Sequence, residues 1–378
     1  MGFKMGIVGL PNVGKSTLFN ALTKTAAAQA ENFPFCTIEP NVGEVAVPDA
    51  RLKKLSDIAS SKQIIPTRMT FVDIAGLVKG ASKGEGLGNQ FLANIREVDA
   101  VAHVLRCFED DDVTHVEGRV DPISDAQTIE TELMLADIDS IEKRLQGLNR
   151  KVRGGEKEAV QQERLLKAAL EVLEKGEPAR VVSVDQEDAK AWKNLQLLTT
   201  KPILYVCNVG EDEAAAGNAH SAKVAEMAAE QGAGTIIISA QIEEEISQLD
   251  ADEADLFLNE MGLDEPGLDR LIRAGYALLQ LETYFTVGPK ETRAWTIRKG
   301  TPAPQAAGVI HGDFERGFIR AETISYIDYI SLQGEQGAKE AGKCELRENH
   351  TLFRTEMFCI FFSMHRNCAQ YEHQFSEE

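Results

Sequence analysis

The 378-residue sequence predicts an α/β fold: a doubly wound, mostly parallel sheet with an inserted helical coiled-coil hairpin, followed by a smaller α+β domain. Apolar runs alternate with helix-like patterns in residues 3–105 and again from residue 203, which is typical of a parallel sheet. Residues 125–198 between them have helical periodicity, and after Thr283 the pattern changes to a hairpin around Gly288 and a short helix at 306–318. These observations predict three structural parts.

Composition excludes several classes of protein. Hydrophobic residues make up 43% of the chain, and no apolar run approaches the ~20 residues of a membrane span. The start of the chain lacks the apolar core of a signal peptide, so we expect a cytoplasmic protein. The six cysteines show no CxxC spacing, which favours reduced thiols over disulfides or zinc. A net charge of −20 argues against a general nucleic-acid coat and leaves room for a local basic patch.

Residues 9–16, with the sequence GLPNVGKS, fit the phosphate-binding pattern GxxxxGK[ST] between a candidate strand and a candidate helix. The glycines allow backbone N–H groups to face phosphate oxygens at a helix N-terminus. Lys15 is expected to reach the outer phosphates, and the Ser16 hydroxyl is expected to bind magnesium. A glycine-rich turn without a ligand is the alternative, but it would require the pattern and both flanking elements to coincide by chance.

Two further patterns are typical of a nucleotide switch. Residues 31–41 form a proline-bracketed loop whose Thr37 is a candidate magnesium ligand, although a plain connecting loop explains the same pattern. After a strand, Asp73 and Gly76 form DxxG, in which Asp73 can hold magnesium through a water and the Gly76 N–H can contact the terminal phosphate. Many GTPases use a glutamine directly afterwards to orient water, but here the residue is Leu77, which is apolar.

The helical segment predicts a hairpin inserted into the first domain. Its apolar seam steps by three and four residues and is interrupted at Gly154 and Gly155. The seam residues are Met134, Ile138, Ile141, Leu145, Leu148 and Val152. Basic residues gather near the turn, and the pattern leaves two interpretations open: a solvated face, or a docking site for RNA or an acidic partner. These residues are Lys143, Arg144, Arg150, Lys151 and Arg153.

The segments after residue 203 stand where a GTPase-like fold reads the base, with Asn208 to Glu211 after one strand and Ser239 after the next. The guanine-reading pattern NKxD is altered, because Val209 replaces the lysine and Glu211 replaces the aspartate. The Asn208 amide suits the N7 and N6-amino edge of adenine. The sequence therefore predicts a modest preference for ATP over GTP, ~10-fold, because discrimination is strong only where buried polar groups would otherwise lose their partners. Guanine binding by Glu211 through a shifted loop is the alternative.

Together these motifs resemble those of the YchF family of Obg-like ATPases, over residues 1–343. The resemblance implies an Obg-type P-loop G domain at 1–120 and 200–280, a helical insertion at 121–199, and a β-grasp TGS domain at 281–378. From Cys344 onward the chain departs from the family pattern, which leaves open whether the tail after residue 343 completes that domain and whether the apolar run 357–362 is exposed.

The resemblance also implies site residues, which are named here by this chain's numbers. The phosphate-binding residues would be Asn12, Val13, Gly14, Lys15, Ser16 and Thr17. The magnesium ligands would be Ser16, Thr37 and Asp73. The other nucleotide contacts would be Gly76, Asn208, Val209, Glu211 and Ser239. Lys15 and His115 would act in catalysis, although an acidic loop with an incidental histidine also explains residues 109–115.

The implied function is a magnesium-dependent ATPase acting as a conformational switch in translation or stress regulation. Its expected partners are ATP, GTP more weakly, and the ribosome or ribosomal RNA. Neither DNA nor a membrane is expected, and we expect a monomer. Two alternatives stay open: a protein whose nucleotide only gates ribosome docking, with incidental hydrolysis, and a GTPase.

Overall fold

A computed structural model describes residues 3–32, 41–74, 87–110, 119–347 and 357–364. The strands are β1 (Lys4–Val8), β2 (Val42–Ala46), β3 (Gln63–Ile65), β4 (Arg68–Asp73), β5 (Ala100–Arg106), β6 (Ile203–Asn208), β7 (Gly234–Ile238), β8 (Leu281–Val287), β9 (Glu291–Arg298), β10 (Phe318–Ser325), β11 (Cys344–Arg347) and β12 (Met357–Met364). The helices are α1 (Lys15–Asn32), α2 (Ala50–Ala59), α3 (Leu87–Glu97), α4 (Pro122–Arg153), α5 (Lys157–Glu174), α6 (Ala189–Asn194), α7 (Ala219–Glu230), α8 (Ala240–Ile246), α9 (Ala251–Glu260), α10 (Gly267–Leu278), α11 (Ala303–Ile310), α12 (Gly312–Arg316), α13 (Tyr326–Ser331) and α14 (Glu335–Glu340).

The described residues form two compact units. The first holds those within Met1–Glu31, Phe35–Val45 and Thr70–Leu278, and the second holds Asn32, Ala46–Met69 and those within Leu279–Glu378. The segment Ala46–Met69 thus packs with the C-terminal part of the chain, although it lies between β2 and β4 of the first unit. None of the helices in the described part of the chain is long and apolar enough to cross a membrane.

The first unit is built on a six-stranded sheet with the order β2-β4-β1-β5-β6-β7. β1 pairs in parallel with β4 and β5, and β6 pairs in parallel with β5 and β7. Every residue of β5 and β6 is buried, as in a parallel sheet that is covered on both faces. The predicted doubly wound sheet is confirmed, and the carboxyl ends of β1, β4, β5 and β6 meet at one edge.

The predicted helical hairpin is confirmed as α4 and α5. Its core includes Ile141 on α4 and Leu166, Ala169 and Leu173 on α5, together with residues of the segment after α5, and four further seam residues pack against this core. These four are Met134, Ile138, Leu145 and Leu148. The helices are joined at Gly154 and Gly155, and Gly155 has φ +75, a left-handed conformation that glycine adopts without strain.

A buried carboxylate fixes the root of the hairpin. Asp137 on α4 accepts hydrogen bonds from the backbone N–H groups of Leu198 (2.9 Å) and Thr199 (2.9 Å), and from the Thr199 hydroxyl (2.7 Å). Burial raises the pKa of Asp137, while these three bonds act to lower it. Next to it, the half-buried Arg180 pairs with the buried Glu130. These contacts join α4 to the chain that leads back into β6.

In the second unit, α2 and β3 come from Ala46–Met69. β3 pairs in parallel with β9, which pairs with β8 as the predicted antiparallel hairpin. Leu52 and Leu55 of α2 pack against Phe285, Ala294 and Tyr329. The apolar residues of α2 therefore complete a core whose other members lie more than 200 positions later in the sequence.

The helix predicted at residues 306–318 is wrong in its extent. The structure has two shorter helices, α11 and α12, and β10 already begins at Phe318. The break falls at His311, which has an extended backbone (φ −159) and whose Nδ1 accepts a hydrogen bond from the Asp313 N–H, 3.2 Å away. The side chain caps α12, so the residue that ends one helix begins the next.

The tail after residue 343 contributes two strands. β11 and β12 pair antiparallel with β10 on its two sides, giving the order β11-β10-β12. The apolar run that begins at Met357 is therefore hydrogen-bonded along its backbone as a strand rather than left without strand partners.

The buried His103 on β5 should make the stability of the protein depend on pH. It is 1% exposed, its Nε2 has no hydrogen-bond partner among the described residues, and burial lowers its pKa to about 3. Below pH ~6.5 this histidine is protonated in the unfolded chain but stays neutral in the folded chain. As the pH falls from ~6.5 towards the folded pKa, the free energy of unfolding should therefore decrease by about 1.4 kcal/mol per pH unit. Urea denaturation at pH 7, 6 and 5 measures this slope.

His103→Leu should remove that part of the slope. His220→Leu, which alters a partly exposed histidine of the same unit, should keep it. Identical pH dependence in His103→Leu and the unaltered protein would show that His103 does not carry the effect.

Candidate nucleotide-binding site

The phosphate-binding loop connects β1 to α1 in the conformation that its sequence predicts. Asn12 (φ +65) and Gly14 (φ +86) both adopt left-handed backbone conformations, which turn the loop back over the first turn of α1. That turn contains no acidic residue. Its free N–H groups and the positive end of the helix dipole can therefore attract an anion without a competing carboxylate.

Lys15 and Asp73 meet at this loop. The Lys15 ammonium donates to Asp73 Oδ1, and the two side chains are 11% and 18% exposed. Asp73 ends β4 and lies opposite Ile7 of β1, so the pairing of the two strands carries its carboxylate to the phosphate loop. The structure thus brings together two side chains, 58 positions apart, that the sequence assigned to one site.

Asn208 connects the phosphate loop to the loop after β7. Its Nδ2 donates to the carbonyl oxygen of Val13 (2.9 Å), and its Oδ1 accepts from the Ala240 N–H (2.9 Å). The side chain is buried. Both ends of the amide are already engaged with the protein, so this geometry does not favour the interpretation that Asn208 reads the edge of adenine. It favours a positioning role.

The remaining candidates for base contact differ in exposure. Val209 is 3% exposed and its N–H donates to Ile238, so its side chain packs in the protein. Ser239 is buried and precedes α8 without capping it through its side chain. Glu211 begins a 3-10 turn (Glu211–Glu213) and is partly exposed, and its carboxylate has no partner in the part of the chain that the structure describes. Glu211 is therefore the side chain best able to meet a base.

Sequence reasoning missed two residues that shape the neighbouring loops. Arg106 ends β5, is 1% exposed, and donates to the carbonyl oxygens of Phe108 (3.2 Å) and Asp110 (3.1 Å). Asn218 donates to the carbonyl oxygen of Cys107 (2.6 Å) and to Glu213 Oε2 (2.7 Å), which joins the end of β5 to the loop after β6. The available signal for Arg106 was a charged residue at the end of a buried, mostly apolar strand, whereas the sequence gave no signal for Asn218.

Three of the sequence-predicted site residues, Thr37, Gly76 and His115, lie outside the described residues, as does Leu77. The other predicted phosphate contacts, Asn12 and Thr17, lie in the loop and in the first turn of α1.

The residues present fit a magnesium ion. The Ser16 hydroxyl is exposed and has no hydrogen-bond partner within the described ranges, and the Asp73 carboxylate already holds a cationic group, the Lys15 ammonium. Hydroxyl and carboxylate oxygens are the hard ligands that magnesium prefers. The described residues contain no group of three His, Cys, Asp or Glu side chains suited to a metal, so a magnesium site here would depend on phosphate oxygens as well.

The parallel sheet, the phosphate loop and the facing Lys15 and Asp73 define a P-loop nucleotide-binding protein of the GTPase type. Family comparisons agree: a model described as 50S ribosome-binding GTPase matches residues 4–136. The YchF GTPase C-terminal model, described as a protein of unknown function, matches residues 281–361. The chain belongs to the YchF family.

Similar proteins support this membership along almost the whole chain. It is 57% identical to the ribosome-binding ATPase YchF of Haemophilus influenzae and 55% identical to that of Bacillus subtilis, in each case over 92% of this chain and 95% of the relative. The solved structure of the Schizosaccharomyces pombe YchF GTPase is 38% identical and superposes with a TM-score of 0.85, covering 96% of this chain and 98% of the other. The names differ on the nucleotide, with ATPase in the bacterial proteins and GTPase in the yeast one.

Proposed function

We propose that this chain is a magnesium-dependent ATPase that works in the cytoplasm as a monomeric, nucleotide-controlled switch on the ribosome, in translation or stress regulation. The observation that carries the enzymatic part is the contact between Lys15 and Asp73 beside the exposed Ser16. The ribosomal part is supported by relatives that carry ribosome-binding in their names.

Each residue of the site has a distinct task in this proposal. Lys15 leaves Asp73 and contacts the outer phosphates, while Ser16 and Asp73, with Thr37, would hold magnesium. When bound, the ion would neutralise charge on the phosphates. Asn12 to Thr17 supply backbone and side-chain donors to the phosphates, and the Gly76 N–H contacts the terminal one. Since phosphoryl transfer depends mainly on positioning and electrostatics, this set is sufficient for slow hydrolysis.

The base-side geometry lacks the guanine reader of NKxD, and the bacterial relatives are named as ATPases, which together support ATP as the nucleotide. The buried Val209 cannot cover a base as the lysine of NKxD does, and Asn208 is engaged between two loops. Selectivity then depends on Glu211 and on backbone groups near Ser239, so we expect ATP to bind ~10-fold more tightly than GTP.

Separate titrations of labelled ATP and GTP, with magnesium present, test the choice of nucleotide. Hydrolysis assays with and without ribosomes test the switch. We expect hydrolysis that ribosomes stimulate and that Lys15→Ala abolishes. Tighter binding of GTP than of ATP would show that the protein is a GTPase. Nucleotide-dependent ribosome binding in a hydrolysis-dead variant would favour the alternative in which nucleotide only gates docking.

His115→Ala should lower the turnover of ATP by about 100-fold, the scale of a lost acid–base or water-orienting group. The reason is that Leu77 cannot orient water, which leaves His115 as the candidate for this task. The affinity for ATP should stay nearly unchanged, because the phosphate contacts come from other residues. Single-turnover hydrolysis and ATP titration separate the two quantities, with His220→Ala as the control histidine. Equal turnover in His115→Ala and the unaltered protein would end this idea.

A further inference from the structure

Charge is segregated along the helical hairpin. Residues 122–142 of α4 contain six acidic residues and no basic one, whereas residues 143–157 contain six Lys or Arg and one Glu. Four of the acidic residues at the root are buried, namely Asp125, Glu130, Glu132 and Asp137. The exposed end of the hairpin is therefore locally basic, in a chain whose net charge is −20.

Four cations gather at this end of the hairpin. Arg150, Lys151, Arg153 and Lys157, which we call the tip cations, are exposed and form no ion pair with any described residue. Lys143 and Arg144 nearby are engaged, with Asp139 and with the carbonyl oxygen of Leu195. Positive charges in the last turn of α4 interact favourably with its helix dipole. Lys157, in contrast, lies in the first turn of α5, where the helix dipole disfavours a positive charge.

The end of the hairpin is narrow, a shape that suits insertion into a groove of a partner better than contact with a flat surface. No residue of α4 beyond Ile141 is buried and none beyond Leu148 belongs to the hairpin core, so the last five residues, ~7.5 Å of helix, extend past that core. A Cβ added at Gly155 would meet nothing within 4 Å, so no other described residue covers the turn between the helices at this position.

We propose that the tip cations bind the phosphate backbone of ribosomal RNA, an inference that rests on the proposed ribosomal role. Residues 149–158 contain no aromatic residue and only one large aliphatic one, Val152, so they lack the apolar anchors on which protein interfaces depend. Clustered, exposed Lys and Arg are instead the usual contacts to phosphate. The acidic remainder of the chain repels RNA, which confines the contact to the tip.

The test replaces all four tip cations by glutamine, a residue compatible with helix. The matched control replaces four other exposed lysines of the same unit by glutamine: Lys167, Lys175, Lys190 and Lys193. Binding to purified ribosomes and to protein-free ribosomal RNA is measured at several salt concentrations, and ATP affinity is measured as a check on folding. We expect the tip variant to lose at least ~10-fold in affinity for both targets and to show a shallower salt dependence, whereas the control keeps both.

The outcomes separate this inference from the proposed function. Equal affinity and salt slope in the tip variant and the unaltered chain overturn the inference. The inference is also overturned if the tip variant loses ribosome binding but binds free RNA as well as the unaltered chain does. The same holds if the tip variant loses ribosome binding and the unaltered chain does not bind free RNA at all. Either result assigns the tip to a contact with a ribosomal protein. If the unaltered chain binds free RNA through the tip but does not bind ribosomes, the inference stands and the ribosomal part of the proposed function fails.

Discussion

Gly14→Ala should reduce nucleotide affinity by more than 100-fold. Its φ of +86 already disfavours alanine, at a cost of about 1 kcal/mol, and the new Cβ would overlap the amide nitrogen of Asn208. That amide cannot yield cheaply, because it is buried and holds both Val13 and Ala240. The substitution therefore strains the phosphate loop and loosens its link to the loop after β7. Titration with labelled ATP measures the loss.

Gly300→Ala is the matched control for this experiment. Gly300 has a similar φ of +79, but a Cβ there would meet nothing within 4 Å. It should lose about 1 kcal/mol of stability and keep its affinity for ATP. If both variants bind ATP as well as the unaltered chain, the overlap with Asn208 has no functional consequence.

Asp137→Ala should destabilise the first unit by about 3–5 kcal/mol. The alanine would leave two buried N–H groups and the Thr199 hydroxyl without the acceptor that now serves all three, and an unsatisfied buried group costs about 1–3 kcal/mol. Because Asp137 holds α4 to the chain before β6, the root of the hairpin should open first. Urea denaturation measures the change in the free energy of unfolding.

The control for this variant is Asp139→Ala. Asp139 lies two residues further along α4, is exposed, and among the described residues pairs with the exposed Lys143 alone, at 2.6 Å. Its loss should change stability by less than about 0.5 kcal/mol. A similar loss in the two variants would mean that the buried network at the root is not what holds the hairpin.

Local patterns in the sequence were sufficient to predict much of this fold. The phosphate loop is contiguous in the sequence, so its glycines and Lys15 identify it without knowledge of distant contacts. The parallel strands show as apolar runs because both faces of their sheet are covered. The hairpin seam shows because its residues recur at helical spacing, and Gly154 and Gly155 mark its turn.

Features that depend on distant pairing could not be found in this way. Nothing in residues 63–65 indicates that they pair with β9, more than 220 positions later. Asn208 was recognised as a site residue, but its partners Val13 and Ala240 come from the phosphate loop and from the start of α8, so its connecting role appears only in the folded chain. The break at His311 was missed because its side chain caps a helix of only five residues, too short to give a periodic signal.

The placement of Ala46–Met69 means that the gene cannot be cut into two working halves. The polypeptide passes between the units near residues 45, 70 and 278, rather than through a single linker. A fragment ending at residue 278 would keep α2 but lose Phe285, Ala294 and Tyr329, leaving Leu52 and Leu55 without their core. The converse fragment would lack α2 and the edge strand β3. The second unit thus depends on both parts of the chain being present, and a premature stop after the helical insertion would leave α2 without the apolar residues that cover it.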